Sequence, residues 1–63
     1  MNRDLLEDKI KEKYPSTLAF IKDLGMSQAT FYRRLEKWDW TLNEVRRTGI
    51  VLNLSKEELL EIF

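Results

Sequence analysis

The stretch that decides how this chain is read is Lys22–Lys37, KDLGMSQATFYRRLEK. A charged run reaches Gly25, breaks, and restarts at Ser27 with a glutamine, an aromatic pair and two arginines. Glycine takes a left-handed conformation without a Cβ clash, so Gly25 is a natural helix stop. A serine hydroxyl accepts from a free backbone N–H, so Ser27 is a natural cap for the helix that follows. Phe31 and Leu35 are spaced four apart to face inward, and Met26 is placed to plug the corner. The pattern predicts two helices packed across a sharp turn.

Working outward, the same punctuation predicts three more helices and no strand. Asn2 caps a first helix running to about Lys13, with Leu6, Ile10 and Tyr14 on one face. Pro15 disfavours helical geometry at Tyr14 and ends that helix. Ser16 caps the second, whose apolar side is expected to be Leu18, Ile21 and Leu24. WDW at 38–40 breaks the third. Thr41 with Glu44 three residues on is a capping box; it opens a fourth helix with Leu42, Val45, Gly49 and Leu52 on one side. Ser55 with Glu58 is a second box, before a short helix carrying Leu59, Ile62 and Phe63. Gly49 inside a helix costs roughly 1 kcal/mol against alanine, which close helix packing explains. Short connections force neighbours together. The expected fold is all-α: a compact bundle of about five short helices, one domain over residues 1–63, containing a helix–turn–helix.

The totals narrow the chemistry. A chain of 63 residues holds one domain with little room for a deep pocket. Without cysteine or histidine it lacks disulfides, thiolate metal sites and the commonest general base. No nucleophile–base pair or metal-ligand spacing stands out, so neither an enzyme nor a cofactor is expected. No apolar run approaches the roughly 20 residues of a membrane span, and the N-terminus is too charged for a signal peptide; a cytoplasmic location follows as an expectation. Eleven basic residues balance 11 acidic ones. Their distribution is uneven: residues 14–37 carry +2 and residues 50–63 carry −2, so a polyanion is expected to prefer the middle.

With Phe31 and Leu35 pointing in, a turn of about 100° per residue points Ala29 and Arg33 most directly out. Gln28 and Tyr32 form one flank of that edge, and Thr30 and Arg34 the other, where the Arg34 stem can lie along the core edge. Glutamine can bond adenine and arginine guanine at major-groove edges, which makes Gln28 and Arg33 the candidate base readers. Ala29 permits close approach. Glu36 faces outward and repels phosphate, which shifts contacts to the N-terminal half of the helix. Free N–H groups at the helix starts near Thr17 and Ser27 suit phosphate oxygens, and Lys37 can hold backbone as a point charge. Trp40 is expected in the core, Trp38 is open between core and partner surface, and Arg46 and Arg47 are expected on a solvated face.

LAFIKDLGMSQATFYRRL resembles the helix–turn–helix of the Cro and repressor proteins of temperate phages, within the wider XRE family. The downstream WDWTLNEVRRTGIVLNLSKEELLEIF resembles the fourth and fifth helices of short members from phages of Gram-positive hosts. The resemblance spans about Tyr14 to Phe63. It implies a lambda-repressor/Cro-like domain that reads a double-stranded DNA operator with its third helix. Residue by residue it points to Thr17 for phosphate, to Ser27, Gln28, Ala29, Tyr32 and Arg33 for the groove, and to Lys37 for backbone. Ile21 departs from the small residue usual there, KWDW replaces the usual Asn-Gly loop, and zero net charge is low for a DNA binder.

The expected function is a transcriptional regulator. With no effector domain following, repression by operator occupancy is the expected mechanism. A homodimer is expected on a roughly palindromic site, with Leu60 and Phe63 as candidate dimer contacts. The competing expectation is an antirepressor or modulator that keeps the scaffold but binds a partner repressor protein.

Overall fold

The computed structural model describes residues 2–63. Five helices follow one another: α1 (Arg3–Lys13), α2 (Thr17–Leu24), α3 (Gln28–Lys37), α4 (Leu42–Val51) and α5 (Lys56–Ile62). There is no strand among the described residues. Every helix starts on a polar side chain that accepts a backbone N–H: Asn2 from Leu5, Ser16 from Ala19, Ser27 from Thr30, Thr41 from Glu44 and Ser55 from Glu58. Both capping boxes close, with the Thr41 and Ser55 N–H groups donating to Glu44 and Glu58 at 2.8 Å each.

The helices stop in different ways. Tyr14, ahead of Pro15, is extended at φ −124°. Gly25 stands at φ +78°; its N–H donates to the Ile21 and Lys22 carbonyls, and the Met26 N–H donates to Ile21 at 3.4 Å. That pairing is the glycine-closed helix end of the Schellman type. Asn53, at φ 53°, closes α4 in the same manner, with the Leu54 N–H on the Gly49 carbonyl at 2.8 Å. α3 ends on Trp38 in left-handed geometry, φ 57°. Such a conformation costs a bulky residue about 1–2 kcal/mol, and ring packing on both sides of Trp38 opposes that cost.

The core is Leu6, Ile10, Phe20, Ile21, Leu24, Phe31, Leu35, Leu52 and Ile62. A chain of edge-on ring contacts runs through it from Tyr14 to Phe20, Phe31, Trp40 and Phe63, with centroids 5.5–5.9 Å apart. Such geometry suits the ring quadrupoles.

Two expected core positions are corrected. Leu18 is 54% exposed, and Phe20 takes the buried place on α2. Leu18 lies about 120° around the helix from Leu24, whereas Phe20 shares a face with Ile21 and Leu24 and buries a larger ring. Leu42 is 73% exposed; it opens α4, and the inward face is centred on Thr48, Gly49 and Leu52. Thr48 is buried without an orphaned hydroxyl, because its Oγ1 donates to the Glu44 carbonyl at 2.8 Å. At Gly49 a Cβ would stand 3.1 Å from Leu59 Cδ1, so the missing side chain is what brings α4 and α5 together.

α1 and α5 are tied twice. The Asn2 N–H donates to the Ile62 carbonyl at 2.9 Å, and the Lys9 ammonium sits 2.7 Å from the Glu58 carboxylate. Lys9 and the Ser55 N–H hold the Glu58 carboxyl well down, at about 2. No helix among the described residues is long and apolar enough to cross a membrane.

Two outcomes follow from these contacts. Gly25→Ala forces a Cβ into left-handed geometry and to 3.1 Å from Arg47 Nη2, and should lower unfolding free energy by about 1–2 kcal/mol in urea titration. A carboxyl depressed by folding stabilises above its unfolded value and loses that contribution as pH falls through its folded value. For Glu58 the window runs from 4.5 down to about 2. The melting temperature should therefore drop across that window, and Glu58→Gln should flatten that part of the profile.

Candidate nucleic-acid interface

The corner is built from Gly25, Met26 and Ser27. The Ser27 hydroxyl accepts the Thr30 N–H at 3.1 Å and donates to Thr30 Oγ1 at 2.8 Å, which fixes the first turn of α3. Phe31 and Leu35 are buried, and Met26 packs on the same core. The other side of α3 is therefore free: Gln28, Ala29, Tyr32, Arg33, Glu36 and Lys37 are exposed, while Thr30 and Arg34 are partly covered. Gln28, Ala29, Tyr32 and Arg33 form one continuous edge, as their spacing predicts. Thr17 is half-buried at the start of α2 and lines, with Tyr32, a crevice whose far bank is Arg3, Glu7 and Lys11 of α1.

The four basic residues of Lys22–Lys37 divide. Arg33, Lys37 and Lys22 have no ion-pair partner among the described residues. Arg34 is committed to its own chain: its Nε lies 2.9 Å from Glu44 Oε1 and 3.2 Å from Oε2, and its Nη1 lies 3.5 Å from Asp39. Its side chain is 18% exposed and that of Glu44 16%. Burial works against the Glu44 carboxylate, but the Thr41 N–H and the Arg34 guanidinium together hold it below its ordinary value. The hydrogen bond to Glu44 raises Arg34 in turn.

Arg47 is exposed on α4, as expected, and makes a contact that the sequence did not show. Its Nε donates to the Leu24 carbonyl at 3.0 Å, and its guanidinium fills the space that Gly25 leaves beside the turn. Arg46 stays exposed. The sequence holds no local signal for the Arg47 contact, since donor and acceptor lie 23 residues apart. The tie from Arg34 to Glu44 was equally hidden, because the capping box already accounts for that glutamate.

Lys37–Trp40 does not project. Trp38 stacks on Phe63 at 5.6 Å and meets Trp40 edge-on at 5.8 Å, so both indoles lie on the core. Of the two candidate dimer contacts, Phe63 is thus engaged inside the chain, whereas Leu60 is 78% exposed.

The ion pairs distribute the charge unevenly while the total stays at zero. Arg3, Lys9 and Arg34 engage Glu7, Glu12, Glu58, Asp39 and Glu44. Of 11 bases and 11 acids, eight and six are left outside those pairs. No protein-family model, curated protein or solved structure matches this chain.

Ser27→Ala removes the acceptor for the Thr30 N–H, and should cost about 1 kcal/mol in denaturant unfolding. Ser27→Gly should recover most of it, since glycine caps within a few tenths of a kcal/mol of serine.

Proposed function

We propose that this chain is a sequence-specific DNA-binding regulator of transcription, phage- or prophage-like, which lays α3 in the major groove of an operator. The observation that supports this most is the exposed Gln28–Ala29–Tyr32–Arg33 edge on a helix whose opposite face is locked into the core. Gln28 and Arg33 contact base edges, Gln28 in the bidentate manner that suits adenine and Arg33 in the manner that suits guanine. Ala29 admits the helix to the groove floor or touches a thymine methyl. Ser27 and Tyr32 line the groove beside them, Thr17 contacts phosphate, and Lys37 adds a point charge to the backbone. Glu36, exposed in the C-terminal half of α3, keeps that half off the phosphates.

One subunit of this size buries too little surface for tight binding. Two copies related by a two-fold axis put two α3 helices in successive major grooves about 34 Å apart. Leu60, 78% exposed, is an apolar contact open to such a pair. Regulation is by occupancy: the bound dimer blocks a promoter, and the protein acts without catalysis or cofactor.

A second reading has one observation in its favour. Ile50 is also exposed, on the wall of a shallow groove formed with Gly49, Leu54 and Leu59, and apolar surface of this kind suits a partner repressor protein. Titrating a labelled duplex, selected from a random pool, across a salt series separates the two. The DNA reading expects affinity to fall linearly on logarithmic axes as counterions are released. No binding at low salt, together with a tight complex with a repressor protein, favours the second.

On the selected duplex, Arg33→Ala should cost about 1–3 kcal/mol and relax preference at one base pair. Lys37→Ala should weaken all sequences alike and reduce the salt slope by about one. Unchanged binding by both variants overturns the face assignment.

A further inference from the structure

Arg33 and Arg34 are neighbours in sequence and opposite in situation. Arg33 is exposed without an ion-pair partner among the described residues; Arg34 turns back to α4. Resting on the DNA reading above, we infer that Arg34 is a positioning residue: it sets the angle at which α3 meets the duplex, through Glu44, and touches no DNA itself.

The geometry that carries this is a three-way junction on one carboxylate. Glu44 Oε1 accepts the Thr41 N–H at 2.8 Å and lies 2.9 Å from Arg34 Nε, while Oε2 lies 3.2 Å from the same nitrogen. One glutamate thereby joins α3, the loop ahead of α4, and the first turn of α4. The Asp39 carboxylate 3.5 Å from Nη1 adds a second tie to the loop. α4 is itself fixed to the end of α2, because Arg47 Nε donates to the Leu24 carbonyl. α3 is thus held at two places. Its N-terminus is set by the Gly25 corner, and its C-terminal half is set by Arg34 pulling on a helix anchored elsewhere. Phe31 and Leu35 supply burial, but apolar contact is non-directional and leaves rotation about the helix axis soft. The hydrogen bond from the guanidinium Nε to the Glu44 carboxylate is directional.

Base readout is sensitive to that angle. A hydrogen bond weakens steeply once it is misaligned, so a small rotation of α3 degrades Gln28 and Arg33 together, while a lysine point charge on a flexible stem adapts to the phosphates. Loss of Arg34 should lower discrimination more than attraction. Lysine does not replace it, since an ammonium is a point charge on a flexible stem.

The test uses the full chain and two probes: a duplex selected from a random pool, and a scrambled duplex of equal length. Affinities are measured across a salt series at a temperature where circular dichroism shows each variant folded. Arg34→Ala is expected to weaken binding to the selected duplex about tenfold and to the scrambled one far less, with the salt slope unchanged. Arg34→Lys should recover only part of the loss. Glu44→Gln keeps the capping box, since glutamine still accepts the Thr41 N–H, but removes the charge and one of the two oxygens facing Arg34, and should reproduce part of the Arg34→Ala loss. The double variant should be no worse than Arg34→Ala alone, the non-additivity of groups that act as a pair. Arg33→Ala combined with Arg34→Ala should likewise fall short of additive, because misaligned Arg33 has less to lose.

Three results overturn the inference. A salt slope reduced by about one marks Arg34 as a phosphate contact. Unchanged affinity for both probes with a lower melting temperature reduces it to a stabilising pair. Failure of the wild-type chain to bind any duplex removes the DNA reading and this inference with it, an outcome visible before any Arg34 variant is made.

Discussion

A missing methyl group at Gly25 is the constraint from which the arrangement follows. The chain turns there at φ +78°, where a side chain is strained, and the space left open is occupied by the Arg47 guanidinium on its way to the Leu24 carbonyl. One residue therefore does two things. It lets α2 and α3 cross with Phe20 against Phe31, and it gives α4 a polar hold on the end of α2. A carbonyl that α2 cannot satisfy within itself is used to fix the neighbouring α4. The exposed edge of α3 follows from this, because Phe31 can face the core only if the turn before it is that tight.

Zero net charge looked unfavourable for a polyanion partner. The folded chain sorts its charges in a way that composition hides. Carboxylates serve as internal joints: Glu44 between α3 and α4, Glu58 between α1 and α5, Glu7 along α1. Arg33 and Lys37 stand outside those joints, on the side of α3 that the core does not use. Partly buried pairs such as Arg34 with Glu44 are weak sources of net stability.

Local signals in the sequence carried the helix boundaries. Ser16, Ser27, Thr41, Ser55, Gly25 and Pro15 act within four residues, so their effect can be read without knowing the fold. The inward face of α3 was equally legible, since Phe31 and Leu35 are four apart and leave one choice. The inward face of α2 was not: Leu18 and Phe20 both fit an apolar stripe, and only the rings of Tyr14 and Phe31 on other helices select Phe20. Leu42 failed for a related reason, because periodicity assigns a face but not whether a neighbour reaches that far along the helix. The roles of Arg34 and Arg47 were out of reach, as their partners are set by tertiary placement. The left-handed Trp38 also lay outside any propensity rule; its backbone is accommodated by rings from residues 40 and 63. On the candidate site, the exposed edge of α3 was legible, and the tie from Arg34 to Glu44 was not.

The hydrogen bond from the Asn2 N–H to the Ile62 carbonyl has a topological consequence. The backbone leaves α5 beside the place where it entered α1, so its path through the five helices is close to a closed circuit. A covalent joint of a few residues spans that gap, and the ring can then be cut after Asn53, between α4 and α5, at the cost of the Leu54 bond that closes α4. Such a permuted chain keeps α2, the corner and α3 in unbroken order. It moves both free ends next to α5, so a tether added there links two copies through the helix that carries Leu60.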